Sequence, residues 1–329
     1  MSKPKVGFYW CASCGGCEEA VVDLAEDVLD VVKAVDIVLW PVAMDYKKTD
    51  VEKLADKELA ACFINGAIRN SEQLEMVELL RRKAQLVVAF GSCAQHGGIP
   101  ALANLANKAE VMQEAYSNVP SVVNGDHTLP QEIIKVKEGE VTLPSLWNTV
   151  KALDQVIDVD YYLPGCAPPV NLIKNAVGAI VGGQLPAKGA VLAPDIALCD
   201  ECERRESKPV ELSIKEFKRP SQIIVDPEKC LLAQGLLCLG SITRGGCGAA
   251  CVKANMPCTG CMGPISHVRD YGAKALSAIA SIIEAKEEAD IENSLASIAD
   301  PVGTFYRYSL SSSKLHRKYE TANSKGGQA

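Results

Sequence analysis

The stretch VGFYWCASCGGCEEAVVDLAEDVL, running from Val6 to Leu29, decides the reading of the fold. Its short apolar run, Val6–Trp10, has the length and composition of a buried strand. A loop of cysteines and glycines follows, and then Glu18–Lys33, where Val22, Ala25, Leu29 and Val32 recur at helical spacing. Strand, reactive loop and helix in that order are the opening of an α/β unit, in which the loop leaves the carboxyl end of the strand. Cys11, Cys14 and Cys17 lie in that loop, and taken alone they allow a disulfide, a zinc clasp or a redox dithiol.

The pattern repeats outward from this unit. Ile37–Trp40, Ala61–Ile64, Leu86–Phe90 and Val159–Leu163 are further short apolar runs. A helix is expected over Glu72–Lys83, with Ser71 as its cap, and another near Asn171–Val181. Short β-branched runs separated by helices imply a parallel sheet covered on both faces. Residues 1–185 therefore read as a flavodoxin-like, doubly wound domain, less regular over 101–155, with a hairpin expected at Ile133–Leu143 around Glu138-Gly139. From about Pro186 the periodicity fades. Residues 186–329 read as a cysteine-rich, largely irregular domain, with one helix near Val268–Lys286 (Ser266 as its cap) and a loose last dozen residues.

Composition narrows the function. The 329 residues are 48% hydrophobic and 23% charged, a globular balance, and the net charge of −7 argues against nucleic acid as a partner. No apolar run reaches the roughly 18 residues of a membrane span, and the N-terminus lacks the pattern of a secretory signal. A cytoplasmic protein without a membrane anchor is the expectation. Fourteen cysteines in such a chain point to metal or redox chemistry, because the cytosol keeps thiols reduced.

Their placement is more specific. Cys14 and Cys17 follow the first predicted strand, Cys93 the fourth and Cys166 the fifth. Ligands in open α/β sheets bind beyond the carboxyl ends of the strands, so four thiols would meet at one edge. Four converging thiolates are the requirement of a cubane iron–sulfur cluster. Eight more cysteines stand between Cys199 and Cys261: Cys199-x2-Cys202, Cys230-x7-Cys238 and Cys247-x3-Cys251-x6-Cys258-x2-Cys261. Iron–sulfur clusters or two structural zinc sites would both use such pairs.

The motifs SCGGCEEAV, GSCAQHGG, LPGCAPP, CDECERR and PCTGC, in this order, resemble the small, electron-transferring subunit of [NiFe] hydrogenases. The likeness extends over nearly the whole chain. It implies three [4Fe–4S] clusters: a proximal one on Cys14, Cys17, Cys93 and Cys166, a medial one on Cys247, Cys251, Cys258 and Cys261, and a distal one on Cys199, Cys202, Cys230 and Cys238. Three departures from the family's common pattern stand out. Cys199 occupies a position where many members have histidine, the gap between Cys230 and Cys238 is longer than in the respiratory enzymes, and Cys251 offers a fourth medial ligand where many have three. With no anchor or signal, these features are most similar to the cytoplasmic viologen-reducing, deazaflavin-non-reducing enzymes of methanogens. Related small subunits occur in deazaflavin-reducing hydrogenases and sulfhydrogenases. The resemblance implies a large subunit carrying the Ni–Fe centre, a [2Fe–2S] adaptor subunit and heterodisulfide reductase as partners, and no catalytic residue on this chain. A quinone-reductase subunit of complex I is the nearest rival, but it lacks a second cysteine block; a zinc-containing binding protein is another.

Five residues stand outside these sets. Cys62 reads as a core thiol, and Cys11 as a bystander that could replace Cys17. Asn65 is either a turn residue before Gly66 or a neighbour of the proximal site. His96 reads as structural, and Glu18 as a first-turn acid favoured by the helix dipole.

Overall fold

The computed structural model describes residues 3–45 and 47–317, and the tail expected to be loose lies outside the described residues. The strands in chain order are β1 (Lys5–Trp10), β2 (Asp36–Leu39), β3 (Leu59–Asn65), β4 (Ile68–Asn70), β5 (Ala84–Phe90), β6 (Ile133–Val136), β7 (Gly139–Thr142), β8 (Leu146–Lys151) and β9 (Tyr161–Leu163). Five of them form one sheet in the order β2-β1-β3-β5-β9, and every neighbouring pair is parallel. The order in which the chain lays down strands reverses between β1 and β3, which makes that junction the topological switch point.

Helices α1 (Gly16–Val22), α2 (Val28–Ala34), α3 (Lys48–Lys53), α4 (Ser71–Lys83), α5 (Ser92–His96), α6 (Lys108–Gln113) and α7 (Val170–Val181) belong to the first half of the chain. Strand alternation explains how they divide. Val6, Phe8, Ala61, Phe63, Val88 and Phe90 face one layer and pack on Ala20, Val21 and Leu24 and on Leu172, Ile173 and Ala176 of α7. Cys62, Ile64, Val87 and Ala89 face the other and pack on Val51 of α3 and on Met76, Val77 and Leu80 of α4. Two-sided burial gives the strands their continuous apolar runs. Aromatic rings fill the first layer near the carboxyl edge: Phe8 stacks on Phe63 at 5.1 Å between centroids and lies 5.0 Å from Trp40.

Three local expectations need correction. The helix expected over 18–33 is two helices joined by a tight turn at Ala25–Asp27, where Ala25 has φ +51°. Its packing residues are Val21, Leu24, Val28 and Val31, whereas Val22, Leu29 and Val32 are exposed. The break rotates the second segment, so a single helical period across it picks the wrong face. The cap of α4 is Asn70 rather than Ser71: Asn70 Oδ1 accepts the Gln73 N–H at 2.8 Å and Gln73 Oε1 accepts the Asn70 N–H at 3.3 Å. The late helix runs only over Tyr271–Ala280, with Asp270 as its cap, while Ser266 donates to Asp195. The hairpin is found as β6 and β7, paired with Lys135 opposite Glu140.

Beyond α7 the chain carries short helices α8 (Ala250–Lys253), α9 (Tyr271–Ala280), α10 (Glu288–Ala296) and α11 (Pro301–Phe305), linked by loops and turns. Apolar packing crosses residue 185 freely. Met262 belongs to the core cluster of β1 and α7, and Ala67, Ala101 and Val150 share one with Ile214, Leu239, Tyr271 and Phe305. The segment after α11 folds back as a clasp on the first half. Tyr308 O accepts from Gly98 N–H, Ser311 O from Gln155, and His316 O from Asn104. Replacing Asn70 by Ala removes the reciprocal cap of α4 and should cost about 1 kcal/mol, read as a lower unfolding midpoint in denaturant with the spectrum of the folded state unchanged.

Candidate iron–sulfur sites

The proximal set is assembled by loops leaving the carboxyl edge of the sheet. Cys14 and Cys17 follow β1; Gly15, at φ +86°, turns the chain into α1, and the Gly16 N–H lies 3.4 Å from Cys14 Sγ. Cys93 follows β5 in α5, and Cys166 follows β9. Backbone hydrogen bonds lock the last two loops together, from Gly91 N–H to Leu163 O and from Ser92 N–H to Gly165 O, each at 2.8 Å. The four thiols are near enough to perturb one another. Burial and then the Cys166 and Cys14 thiols push the Cys93 thiol up to about 12, and burial with Cys93, Cys166 and Cys14 raises that of Cys17. Metal binding would release the protons of such thiols.

Glycines make room for this set. A Cβ on Gly91 (φ +86°) would lie 2.4 Å from Cys17 Sγ, and one on Gly98 (φ +57°) 2.5 Å from Cys93 Sγ. Cys17 and Cys93 are buried, whereas Cys14 and Cys166 are exposed, so the set opens on the protein surface.

The expected bystanders separate from it. Cys62 is fully buried in the opposite layer, its thiol pushed up to about 12 by burial. Cys11 is buried in that same layer, its thiol raised by burial and then by Cys62. His96 is held down to about 4, by burial and then by Arg244, and its Nδ1 meets Ser312 Oγ at 3.3 Å. Glu18 is more than a first-turn acid: its buried carboxylate accepts from Trp40 Nε1 and Asn65 Nδ2. Burial raises its pKa while those two bonds pull the other way. Asn65, at the end of β3, also donates to Tyr9 O at 3.3 Å, so it ties Glu18 to the switch point of the sheet.

The second cysteine block forms two neighbourhoods. The Cys199 thiol is pushed up to about 11 by burial and Cys238, with Cys202 and Cys230 adding to it. Gly240 faces this group; a Cβ there would stand 3.4 Å from Cys199 Sγ and 3.8 Å from Cys238 Sγ. Cys261 is pushed up to about 11 by burial, then by Cys247, Cys251 and Cys166. Cys258 lies on the seam: it neighbours Cys238 more strongly than Cys261, and its N–H lies 3.4 Å from Cys238 Sγ. On the other side, Ser92 Oγ, beside Cys93, donates to Cys261 O, and the Cys166 thiol is among the neighbours that raise Cys261. The three neighbourhoods thus run in sequence from the sheet edge to Cys199. Among the described residues no three His, Cys, Asp or Glu side chains close on one point as the ligands of a single ion do. Ligands of a cubane bind different irons and stand wider apart.

Several neighbours of these groups carry no sequence signal. Thr243 Oγ1 meets the buried Tyr271 hydroxyl at 2.8 Å, and that hydroxyl fills the space beside Gly260, between Cys258 and Cys261. Tyr308, from the clasp, meets Thr259 Oγ1 at 3.2 Å. Glu201 is legible only as a member of CDECERR, although its carboxylate reaches the Cys247 loop. A Gly91→Ala substitution should drive Cys17 from its place and lower bound iron and sulfide per chain; Gly178→Ala, with open space around it, should leave both unchanged.

Comparison with known proteins agrees with this architecture. Residues 14–180 match the family described as NADH ubiquinone oxidoreductase, 20 Kd subunit. The chain is 40% identical to the iron-sulfur subunit of the F420-non-reducing hydrogenase of Archaeoglobus profundus, over 95% of this chain and 98% of that one. It is 37% identical to the corresponding F420-non-reducing hydrogenase subunit of Methanothermobacter thermautotrophicus, over 97% and 98%. The [NiFeSe] hydrogenase structure from Desulfovibrio vulgaris Hildenborough superposes with a TM-score of 0.50 at 16% identity, covering 81% of this chain and 95% of that one, a likeness of fold. A parallel five-stranded sheet with thiol loops at its carboxyl edge, a following cysteine-rich region and near-full-length identity to these archaeal hydrogenase subunits lead to one conclusion: the chain belongs to the family of [NiFe] hydrogenase small subunits.

Proposed function

We propose that the chain is the electron wire of a cytoplasmic hydrogenase, organised as a sheet domain (1–185) and an iron–sulfur domain (186–329) that hold three [4Fe–4S] clusters. Cys14, Cys17, Cys93 and Cys166 would hold the proximal one, Cys247, Cys251, Cys258 and Cys261 the medial one, and Cys199, Cys202, Cys230 and Cys238 the distal one. Such clusters supply reversible one-electron storage when bound. The observation that carries the reading is the contiguity of the three thiol groups, through the Ser92 hydroxyl bonded to Cys261 O and the Cys258 N–H beside Cys238 Sγ.

The residues of this chain act by placement. Glycine loops let backbone N–H groups approach sulfur, and Glu18, Trp40 and Asn65 fix the strand ends from which the proximal loops depart. Hydrogen would be split at a Ni–Fe centre on a large subunit, with this chain positioning the groups that carry the electrons. The exposed Cys14 and Cys166, with half-exposed Trp10 packed against Gly15, support a docking face for that subunit around the proximal group. At the Cys199 end, electrons from hydrogen would leave for a [2Fe–2S] adaptor and heterodisulfide reductase.

Anaerobically purified chain is expected to hold about twelve irons and twelve sulfides, the content of three cubanes. Cys11→Ser should keep all of them, while Cys14→Ser should lose the electron paramagnetic resonance signal of one cluster. A colourless preparation with stoichiometric zinc would overturn the reading.

A further inference from the structure

Glu201 sits between Cys199 and Cys202, yet its carboxylate belongs to the neighbouring loop. Oε2 accepts the Gly246 N–H at 2.9 Å and Oε1 the Ala249 N–H at 3.3 Å, so both bonds flank Cys247. The Cys247 thiol lies 3.8 Å from Oε1. Gly245 leaves the space: a Cβ there would stand 3.3 Å from Glu201 Cδ. The other acids of the segment are engaged elsewhere, Asp200 with Arg205 at 2.8 Å and Glu203 with Lys253 at 3.3 Å. Among the described residues no lysine or arginine is ion-paired with Glu201.

An iron–sulfur potential follows the charge around the cluster and the hydrogen bonds that reach its sulfurs. Glu201 acts on both. Its negative charge faces Cys247, whose sulfur is anionic once it binds iron, and opposes the arrival of an electron there. It also takes the Gly246 N–H, a donor that would otherwise be free to stabilise a reduced cluster, and shares the Ala249 N–H with the Cys247 sulfur.

We propose that Glu201 is a positioning residue of the medial site, reaching over from the distal loop to seat Cys247 and to hold the medial potential low. The inference rests on the reading of Cys247, Cys251, Cys258 and Cys261 as medial ligands. Its consequence is that the loop bearing Cys199 and Cys202 and the loop bearing Cys247 are one mechanical and electrostatic unit.

The test is a redox titration of the intact hydrogenase, followed cluster by cluster by electron paramagnetic resonance, with iron measured on each sample. Glu201→Gln removes the charge at nearly constant shape; it is expected to keep wild-type iron, raise the medial potential and leave the proximal one in place. Glu201→Asp keeps the charge and is expected to stay closer to wild type. An unmoved medial potential in Glu201→Gln overturns the inference, as does a rise confined to the distal cluster or an equal rise in Glu201→Asp. Wild-type iron and three intact signals in Cys247→Ser would instead overturn the ligand reading beneath it.

Discussion

Parallel pairing of β1, β3, β5 and β9 is the constraint on which the rest of the molecule depends. Parallel strands bring all their carboxyl ends to one edge, so the loops after β1, β5 and β9 have to emerge side by side. Sequence separation is irrelevant to that meeting: Cys14 and Cys166 are neighbours because their strands point the same way. The pairing survives because both faces are covered, by α1, α2 and α7 on one side and α3 and α4 on the other. Glu18 then fastens the edge itself, bridging Trp40 beyond β2 and Asn65 at the end of β3.

A second constraint is electrostatic. Burial raises the pKa of Cys17 and Cys93, and neighbouring thiols raise it further, so these donors resist ionising in the bare chain. Bound iron reverses that balance, because its positive charge stabilises each thiolate. The second half of the chain takes order from apolar surface borrowed from the first half, such as Met262 against β1 and α7 and Phe305 in a cluster with Ala101 and Val150.

Much of this is legible in the sequence, and the limits have physical causes. Apolar runs locate the five strands of the sheet because strands buried on both faces cannot hide their composition. The meeting of Cys14, Cys17, Cys93 and Cys166 at one sheet edge is legible because each follows an apolar run that marks a strand. Helix register across residues 18–33 escapes a periodic reading because the turn at Ala25 interrupts the helical period, which no local propensity announces. Asn70 and Ser71 are both good caps, and only the position of Gln73 decides between them. Contacts such as Thr243 with Tyr271, or Glu201 with Gly246, join segments whose meeting depends on long-range folding, and composition carries no trace of them.

The clasp formed by residues 306–316 bears on how the protein is made. Synthesis proceeds from the N-terminus, so β1 to β9 and all the thiol loops leave the ribosome before Tyr308, Ser311 and His316 exist to close over them. The Gly97-Gly98 turn behind Cys93, against which Ser311 and Tyr308 lie, stays uncovered until those residues have been made. The order of synthesis thus builds an interval into biogenesis in which the sheet is formed and the cover over the Cys93 loop is absent.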